Sequence, residues 1–148
     1  PYWLGDARYA RIAVAIVSIW LKLGYYYLIF DAGIKNIPQD LYDAAMMDGA
    51  SPLRRVFSIT VPMLGSVMFF VTVMLFIDVF NMFNEVYMMT GGGPDFSTYT
   101  MSMYIYNYAF GSFSDMGRAA VASWMLFLLV GIVTLIQFII KKKAVYEA

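Results

Sequence analysis

The chain has 148 residues, of which 61% are hydrophobic, 18% aromatic and 14% charged, whereas soluble globular domains are about 45–50% apolar and about 25% charged. Because a water-soluble chain of this size leaves roughly a third of its surface exposed, this composition rules against an ordinary cytosolic enzyme and against a disordered chain. Ten basic and ten acidic side chains, with no cysteine and no histidine, rule out a basic nucleic-acid surface, disulfides, a Cys/His metal centre and Ser-His catalysis.

Three apolar stretches approach the length of a membrane-spanning helix, which needs about 20 apolar residues. The first contains one charge, the second two and the third none. The charged residues are Lys22 in the first stretch and Asp78 and Glu85 in the second. We therefore predict an all-α, polytopic transmembrane helical bundle, with spans at about 10–34, 63–89 and 119–140.

Lys and Arg residues indicate the orientation of these spans. Three spans place residues 35–62 and the C-terminal tail on one side of the membrane and residues 90–118 on the other. The first side carries six Lys and Arg residues and the second carries three, apart from Lys22 within a span; they are Lys35, Arg54, Arg55, Lys141, Lys142 and Lys143 against Arg8, Arg11 and Arg118. Since such residues concentrate in cytoplasmic loops, we predict that 35–62 is cytoplasmic and that 90–118 is an outer loop.

The cytoplasmic loop is predicted to contain two short helices joined by a turn. Pro38 suits the first position of the first helix, and Gly49 suits its end. Ser51-Pro52 suit the N-cap and first position of the second helix. Small residues at the turn allow close approach by a partner protein. The same pattern also fits an amphipathic helix pair lying on lipid.

The residues of this loop resemble a known family. Asp43-Ala44-Ala45-Met46-Met47-Asp48-Gly49-Ala50, followed by Phe57-Ser58-Ile59-Thr60-Val61-Pro62, resembles the EAA loop of permease subunits in ABC-type importers. Asp43 stands where glutamate is usual, and Gly65 stands where a second proline is common. The outer-loop segment Thr90-Gly91-Gly92-Gly93-Pro94, itself a strong turn signal, is similar to the carbohydrate-uptake branch, the maltose- and glycerol-phosphate-type permeases.

The resemblance implies a type I importer permease fold in a bacterial inner membrane, with residues 1–148 as the C-terminal part of a longer permease. It implies that the loop docks on cytoplasmic ATP-binding subunits, which hold ATP and magnesium, so that this chain binds no cofactor and has no catalytic residue. Further implied partners are a second permease subunit in a heterodimer, an extracytoplasmic solute-binding protein and the lipid bilayer, without nucleic acid. The predicted docking residues are Asp43, Ala44, Ala45, Asp48, Gly49, Ala50, Leu53, Phe57 and Pro62.

Polar residues of the second stretch are candidates for solute contact. Asp78, Asn81 and Glu85 are spaced to share one helical face, and ionisable residues at membrane depth usually face a bundle interior or an aqueous path. Amides and carboxylates pair well with hydroxyl-rich solutes, and the interleaved rings of Phe80, Phe83 and Tyr87 suit sugar rings. Interhelical hydrogen bonding is the alternative for Asn81. The predicted solute path comprises Asp78, Asn81, Asn84, Glu85 and, in the first span, Tyr25.

Three classes of function are compatible with these features. The favoured class is a permease subunit of an ATP-driven importer for a sugar or sugar derivative, and the absence of a G-x-x-x-x-G-K-[ST] phosphate loop agrees with ATP hydrolysis in a partner. A second class is a membrane scaffold or regulatory subunit that docks a cytoplasmic partner without transport. A third is a membrane enzyme with Asp78 and Glu85 as an acid–base pair.

Overall fold

The computed structural model describes residues 2–111 and 114–146, and in these parts of the chain all regular elements are helices, which confirms the all-α class. The elements are α1 (Ala7–Lys35), α2 (Gln39–Met47), α3 (Pro52–Arg55), the π-helix π1 (Val56–Thr60), α4 (Val61–Met63), α5 (Gly65–Phe80), α6 (Asn84–Met89), α7 (Met101–Ala109) and α8 (Met116–Tyr146).

The chain divides into two compact units. One unit contains the residues up to Leu21 together with those from Val73 onwards, and the other is Lys22–Thr72. The second unit holds the predicted docking loop, whereas the first holds α6, α7, α8 and the end of α5. We describe each unit separately.

Two helices of the described chain are long and apolar enough to cross a membrane, Ala7–Lys35 and Met116–Lys142. Helix α5 has 16 residues, and at 1.5 Å per residue it is about 24 Å long, which is short for a bilayer core of about 30 Å. Pro52–Met63 and Gly65–Phe80 pass the same test together but are bent by 64°, so the pair adds a third span only if it is counted as one. Most apolar side chains of α8 are exposed, as is typical of a helix surrounded by lipid or by other spans.

The second predicted span, 63–89, is not one continuous helix. Helix α5 ends at Phe80, residues 81–83 break it, and α6 begins at Asn84. The prediction that Asp78, Asn81 and Glu85 share one helical face is therefore wrong. The spacing fitted a helix, but the side chain of Asn81 binds the helix's own backbone and the helix stops there.

The predicted outer loop, 90–118, contains a helix that the sequence reading missed. After the Gly-rich turn, in which Gly91 and Gly92 have φ of +59° and +91°, the chain forms α7. Met103 of α7 is buried with Val86 of α6 and Val14 of α1 in one apolar cluster. This packing fixes α6 and α7 within the first unit, so the break at 81–83 is held between packed helices.

Candidate functional site

The hairpin formed by α2, α3 and π1 has well-defined caps. The N–H of Ala50 bonds to Ala45 O at 2.9 Å and the N–H of Gly49 bonds to Met46 O at 3.0 Å, a pairing in which the residue after the helix is left-handed. Gly49 has φ +72°. The Ser51 side chain accepts a hydrogen bond from the N–H of Arg54 at 3.4 Å, with proline next in the chain. The predicted end of the first helix at Gly49 and the predicted N-cap and first helical position at Ser51 and Pro52 are confirmed.

One predicted cap is wrong. Pro38 is the N-cap of α2 rather than its first helical residue, because its ψ of 130° is extended. Its side chain has no acceptor, so no side-chain cap is made at this end. Helix α2 therefore begins at Gln39, one residue later than predicted, and the turn of the hairpin is unaffected.

Backbone conformation, rather than crowding, explains the glycine at position 49. A Cβ placed on Gly49 would meet no atom within 4 Å, but the left-handed φ is strained for residues with a side chain. The open space around Gly49 is therefore available to a partner protein. Turn geometry and partner docking both fit Gly49, as the sequence indicates.

Most of the predicted docking residues are on the surface of the hairpin. Leu53 is 72% exposed and Phe57 69% exposed, and Met47, which the sequence reading did not select, is 90% exposed. Apolar side chains this open are accessible to a partner protein or to lipid. The other exposed members of the predicted set are Asp43, Ala44, Asp48, Gly49 and Pro62, whereas Ala45 and Ala50 are half-buried.

A side-chain hydrogen bond joins the two arms of the hairpin. The hydroxyls of Tyr42 in α2 and Thr60 in π1 are 2.8 Å apart, and both residues are half-buried. In π1 the N–H of Val61 reaches Val56 O, one residue further than in an α-helix. The next residue, Pro62, has no N–H to donate. The Tyr42–Thr60 bond thus fixes α2 against the segment that leads into α5.

Removal of this bond is expected to loosen the hairpin. A net hydrogen bond contributes about 0.5–1.5 kcal/mol, so Tyr42→Phe should raise amide hydrogen exchange in residues 53–60 by about two- to tenfold. Thr60→Val should do the same, and the double variant should add little, because both changes remove one bond. Tyr27→Phe, on an exposed tyrosine of α1, is the control. Additive effects of Tyr42→Phe and Thr60→Val would contradict a shared bond.

In the compact unit that contains the residues from Val73 onwards, polar side chains stabilise the break after α5. Ile77 O accepts both the backbone N–H of Asn81 at 3.1 Å and its side-chain Nδ2–H at 2.9 Å. The hydroxyl of Thr100 donates to Met82 O at 2.8 Å and accepts the N–H of Met103 at 3.3 Å, as the N-cap of α7. Backbone groups shielded from water need such partners. The sequence reading missed Thr100, although a threonine three residues before Met103 is an N-cap signal.

Thr100→Val is expected to destabilise this unit. The change removes an N-cap, which contributes about 0.5–2 kcal/mol, and deprives the Met82 carbonyl of its donor, which costs about 1–3 kcal/mol. We expect a lower melting temperature for the purified complex by thermal unfolding in detergent. Thr100→Ser retains the hydroxyl and should melt close to the wild type. Equal melting of the Val and Ser variants would show that the hydroxyl has no such role.

The residues of the predicted solute path differ in burial and in their position along the chain. Asp78 and Glu85 are half-buried on either side of the break, and Asn81 and Asn84 are exposed in it and at the start of α6. Tyr25 is exposed on α1, in the compact unit Lys22–Thr72. The structure therefore brings four of the five residues to the break in the chain.

The aromatic rings near the break pack on one another. The ring centroid of Phe83 lies 5.2 Å from that of Tyr87 and 5.0 Å from that of Tyr106. The rings of Phe80 and Phe76 are stacked, with their centroids 6.4 Å apart. A hydrogen bond with Tyr87 raises the pKa of the Tyr106 phenol. The faces of Phe83 and Tyr87 that contact these rings are therefore not open to a solute.

Asn81 also lines a cavity of about 350 Å³ with residues of α7 and α8. Its polar lining residues are Asn81, Ser102 and Ser123, and its apolar ones are Ile105, Leu126, Phe127 and Val130. The sequence reading had not connected the two serines with Asn81. A cavity of this size with a few polar groups among apolar walls is the usual form of a small-molecule site.

Comparison with known proteins gives consistent matches. Residues 2–146 match the family model described as "Binding-protein-dependent transport system inner membrane component". The chain is 36% identical to the lactose transport system permease protein of Rhizobium radiobacter over 138 residues, which cover 92% of this chain and 46% of the relative. It is 38% identical to the trehalose/maltose transport system permease protein of Thermococcus litoralis over 128 residues, 86% of this chain and 43% of the relative.

A third relative is the sn-glycerol-3-phosphate transport system permease protein of Yersinia enterocolitica, which is 36% identical over 140 residues, 93% of this chain and 47% of the relative. The chain therefore spans less than half the length of these relatives.

Proposed function

Because this chain belongs to the family of binding-protein-dependent transport system inner membrane components, we propose that it is part of a membrane permease subunit of an ATP-driven importer for a sugar or sugar derivative. Membership of the family agrees with the resemblance of the hairpin loop to importer permeases. The relatives named above are transport permease proteins, so the chain is a permease and not an enzyme. Glu85 lies beyond the helix break from Asp78, which removes the one-face geometry behind an acid–base pair.

The observation that supports coupling to ATP is the exposed hairpin. Its caps define the turn between its helices, and the side chains of Met47, Leu53 and Phe57 are exposed on it. We propose that these residues dock on a cytoplasmic ATP-binding subunit, with Asp43 and Asp48 fixing the register. Closure of the ATP-binding subunits would move the hairpin, and the chain carries that movement through π1 and α4 into α5.

The remaining partners follow from the same proposal. An importer of this family receives solute from an extracytoplasmic binding protein, and the proposed orientation places residues 90–118 on the extracytoplasmic side of the membrane. A second permease subunit, as a heterodimer, completes the path across the membrane. The solute path is proposed to include Asp78, Asn81, Asn84 and Glu85 at the break after α5, with Tyr25 on α1.

Uptake by the complete complex tests this proposal. The complex of both permease subunits, ATP-binding subunits and binding protein is reconstituted in liposomes and given labelled lactose, trehalose, maltose and sn-glycerol-3-phosphate, the solutes named for the relatives. We expect uptake of at least one of them, dependent on ATP hydrolysis. An ATP-binding subunit that co-purifies and hydrolyses ATP without uptake of any of these solutes or of a wider sugar panel would instead identify the non-transporting scaffold.

A further inference from the structure

A second cavity, of about 690 Å³, lies beside the first turns of α7 and α8, in the compact unit that contains the residues from Val73 onwards. Its charged lining residues are Asp115 and Arg118, at the start of α8. Apolar lining follows further along the same helix at Val121 and Met125. None of its described lining residues belongs to the proposed docking set or to the proposed solute path.

The position of this cavity on α8 places it at the edge of the membrane. The candidate span Met116–Lys142 has 27 residues, whereas about 20 residues of helix cross the hydrocarbon core, so Arg118 in the first turn lies at the level of the lipid headgroups. Val121 and Met125 are about 5 and 11 Å further along the helix axis, and they are 61% and 58% exposed. The cavity therefore extends from headgroup depth towards acyl-chain depth.

The polar end of the cavity holds one cation and one anion close together. Arg118 Nε lies 3.1 Å from Asp115 Oδ2, and the backbone N–H of Arg118 donates to Asp115 Oδ1 at 3.0 Å. The guanidinium also lies 5.8 Å from the centre of the Tyr108 ring. Both charged side chains remain open to a ligand, with 66% of Arg118 and 42% of Asp115 exposed.

Neither charged group has used its full hydrogen-bonding capacity. A guanidinium has five N–H groups, and a carboxylate has about four lone-pair positions, of which these contacts take two. Arg118 can therefore donate to a further anionic oxygen, and Asp115 can accept from a further N–H group. Because the two charges cancel, the cavity complements a ligand that itself carries one negative and one positive group.

We propose that this cavity binds a zwitterionic phospholipid with a primary ammonium, which is the chemistry of phosphatidylethanolamine. The phosphate accepts N–H groups of Arg118, the ammonium donates to Asp115, and an acyl chain packs on Val121 and Met125. The quaternary ammonium of phosphatidylcholine has no N–H to donate to Asp115, and phosphatidylglycerol brings no cation to it. Lipid binding at this site does not depend on which solute the permease carries.

Photochemical labelling in the intact complex tests the site. The permease and ATP-binding subunits are reconstituted in liposomes with a trace of phosphatidylethanolamine that carries a photoreactive group near the start of one acyl chain. After irradiation, the labelled fraction of the peptide that contains residues 119–125 is measured by mass spectrometry. We expect about two- to tenfold more labelling than with phosphatidylcholine or phosphatidylglycerol probes of the same acyl chains.

Two variants and a control assign the preference to the charged pair. Asp115→Asn retains an acceptor for the N-cap of α8 but lacks the charge, so it should remove the preference for phosphatidylethanolamine over phosphatidylcholine. Arg118→Gln should lower labelling by phosphatidylethanolamine about two- to tenfold. Arg11→Gln, at an exposed arginine of α1 that does not line the cavity, should label like the wild type.

Three results would overturn the proposal. One is equal labelling by the three lipids in the wild type, and another is an unchanged preference in Asp115→Asn. The third is no labelling of residues 119–125 in a complex that hydrolyses ATP, which would show that another protein segment covers the cavity.

Discussion

Gly49→Val is expected to abolish ATP-driven uptake by the reconstituted importer while the chain still inserts into the membrane. Gly49 has φ +72°, and a left-handed conformation costs roughly 1–2 kcal/mol for an ordinary residue and more for a β-branched one. The valine would break the bonds of Gly49 and Ala50 to the end of α2 and so change the direction of α3. The measurements are the amount of chain in the membrane fraction, the ATP-binding subunit that co-purifies, and uptake.

Gly49→Asn is the matched control, because asparagine adopts the left-handed conformation more readily than other residues with side chains. A Cβ at this position meets no atom of this chain within 4 Å, so the asparagine should preserve the hairpin. If the backbone conformation alone is required, the asparagine variant keeps most of its uptake. If a partner approaches Gly49 closely, the asparagine variant also loses docking. Full uptake by the valine variant would exclude the hairpin from coupling.

Asn81→Leu is expected to reduce uptake by about five- to 150-fold without loss of the ATP-binding subunit. The change removes the acceptor Oδ1 from the proposed solute path, and an unpaired polar solute group costs about 1–3 kcal/mol. The end of α5 should persist, because the backbone N–H of Asn81 also bonds to Ile77 O. Initial uptake rates and basal ATP hydrolysis of the reconstituted complex measure the two effects separately.

Thr72→Val provides the comparison for this prediction. Thr72 is exposed on α5, donates its hydroxyl to Met68 O as Asn81 donates its Nδ2–H to Ile77 O, and lies outside the proposed solute path, so its replacement should leave uptake close to that of the wild type. Equal losses in the two variants would show that a lost side-chain bond to the helix backbone, and not solute contact, accounts for the effect. No loss at Asn81 would remove it from the solute path and favour a role in helix termination alone.

The hairpin could be predicted from sequence because its signals are local. Gly49, Ser51 and Pro52 each act on residues within one turn of themselves, so spacing alone places the two helices and the turn. Pro38 was misplaced by one position because proline fits both the N-cap and the first helical residue, and only ψ distinguishes them.

The helix break and the cavity lined by Asn81 could not be predicted in the same way. The spacing of Asp78, Asn81 and Glu85 is helical, and the bond that stabilises the break comes from Thr100, eighteen residues after Met82. Ser102 and Ser123 meet Asn81 only because α7 packs against α8. These contacts depend on tertiary packing, which a pattern within one segment does not contain.

The central claim, that the hairpin docks on an ATP-binding subunit, is tested most directly by site-specific cross-linking. The chain has no cysteine, so a single introduced thiol reports one position. Phe57→Cys lies on the exposed face of the hairpin, and Met88→Cys, at a residue 83% exposed on α6, is the control. We predict that the thiol at position 57 cross-links to the ATP-binding subunit in the membrane and that the thiol at position 88 does not. A cross-link from position 88, or none from position 57 in a complex that still transports, would contradict the account.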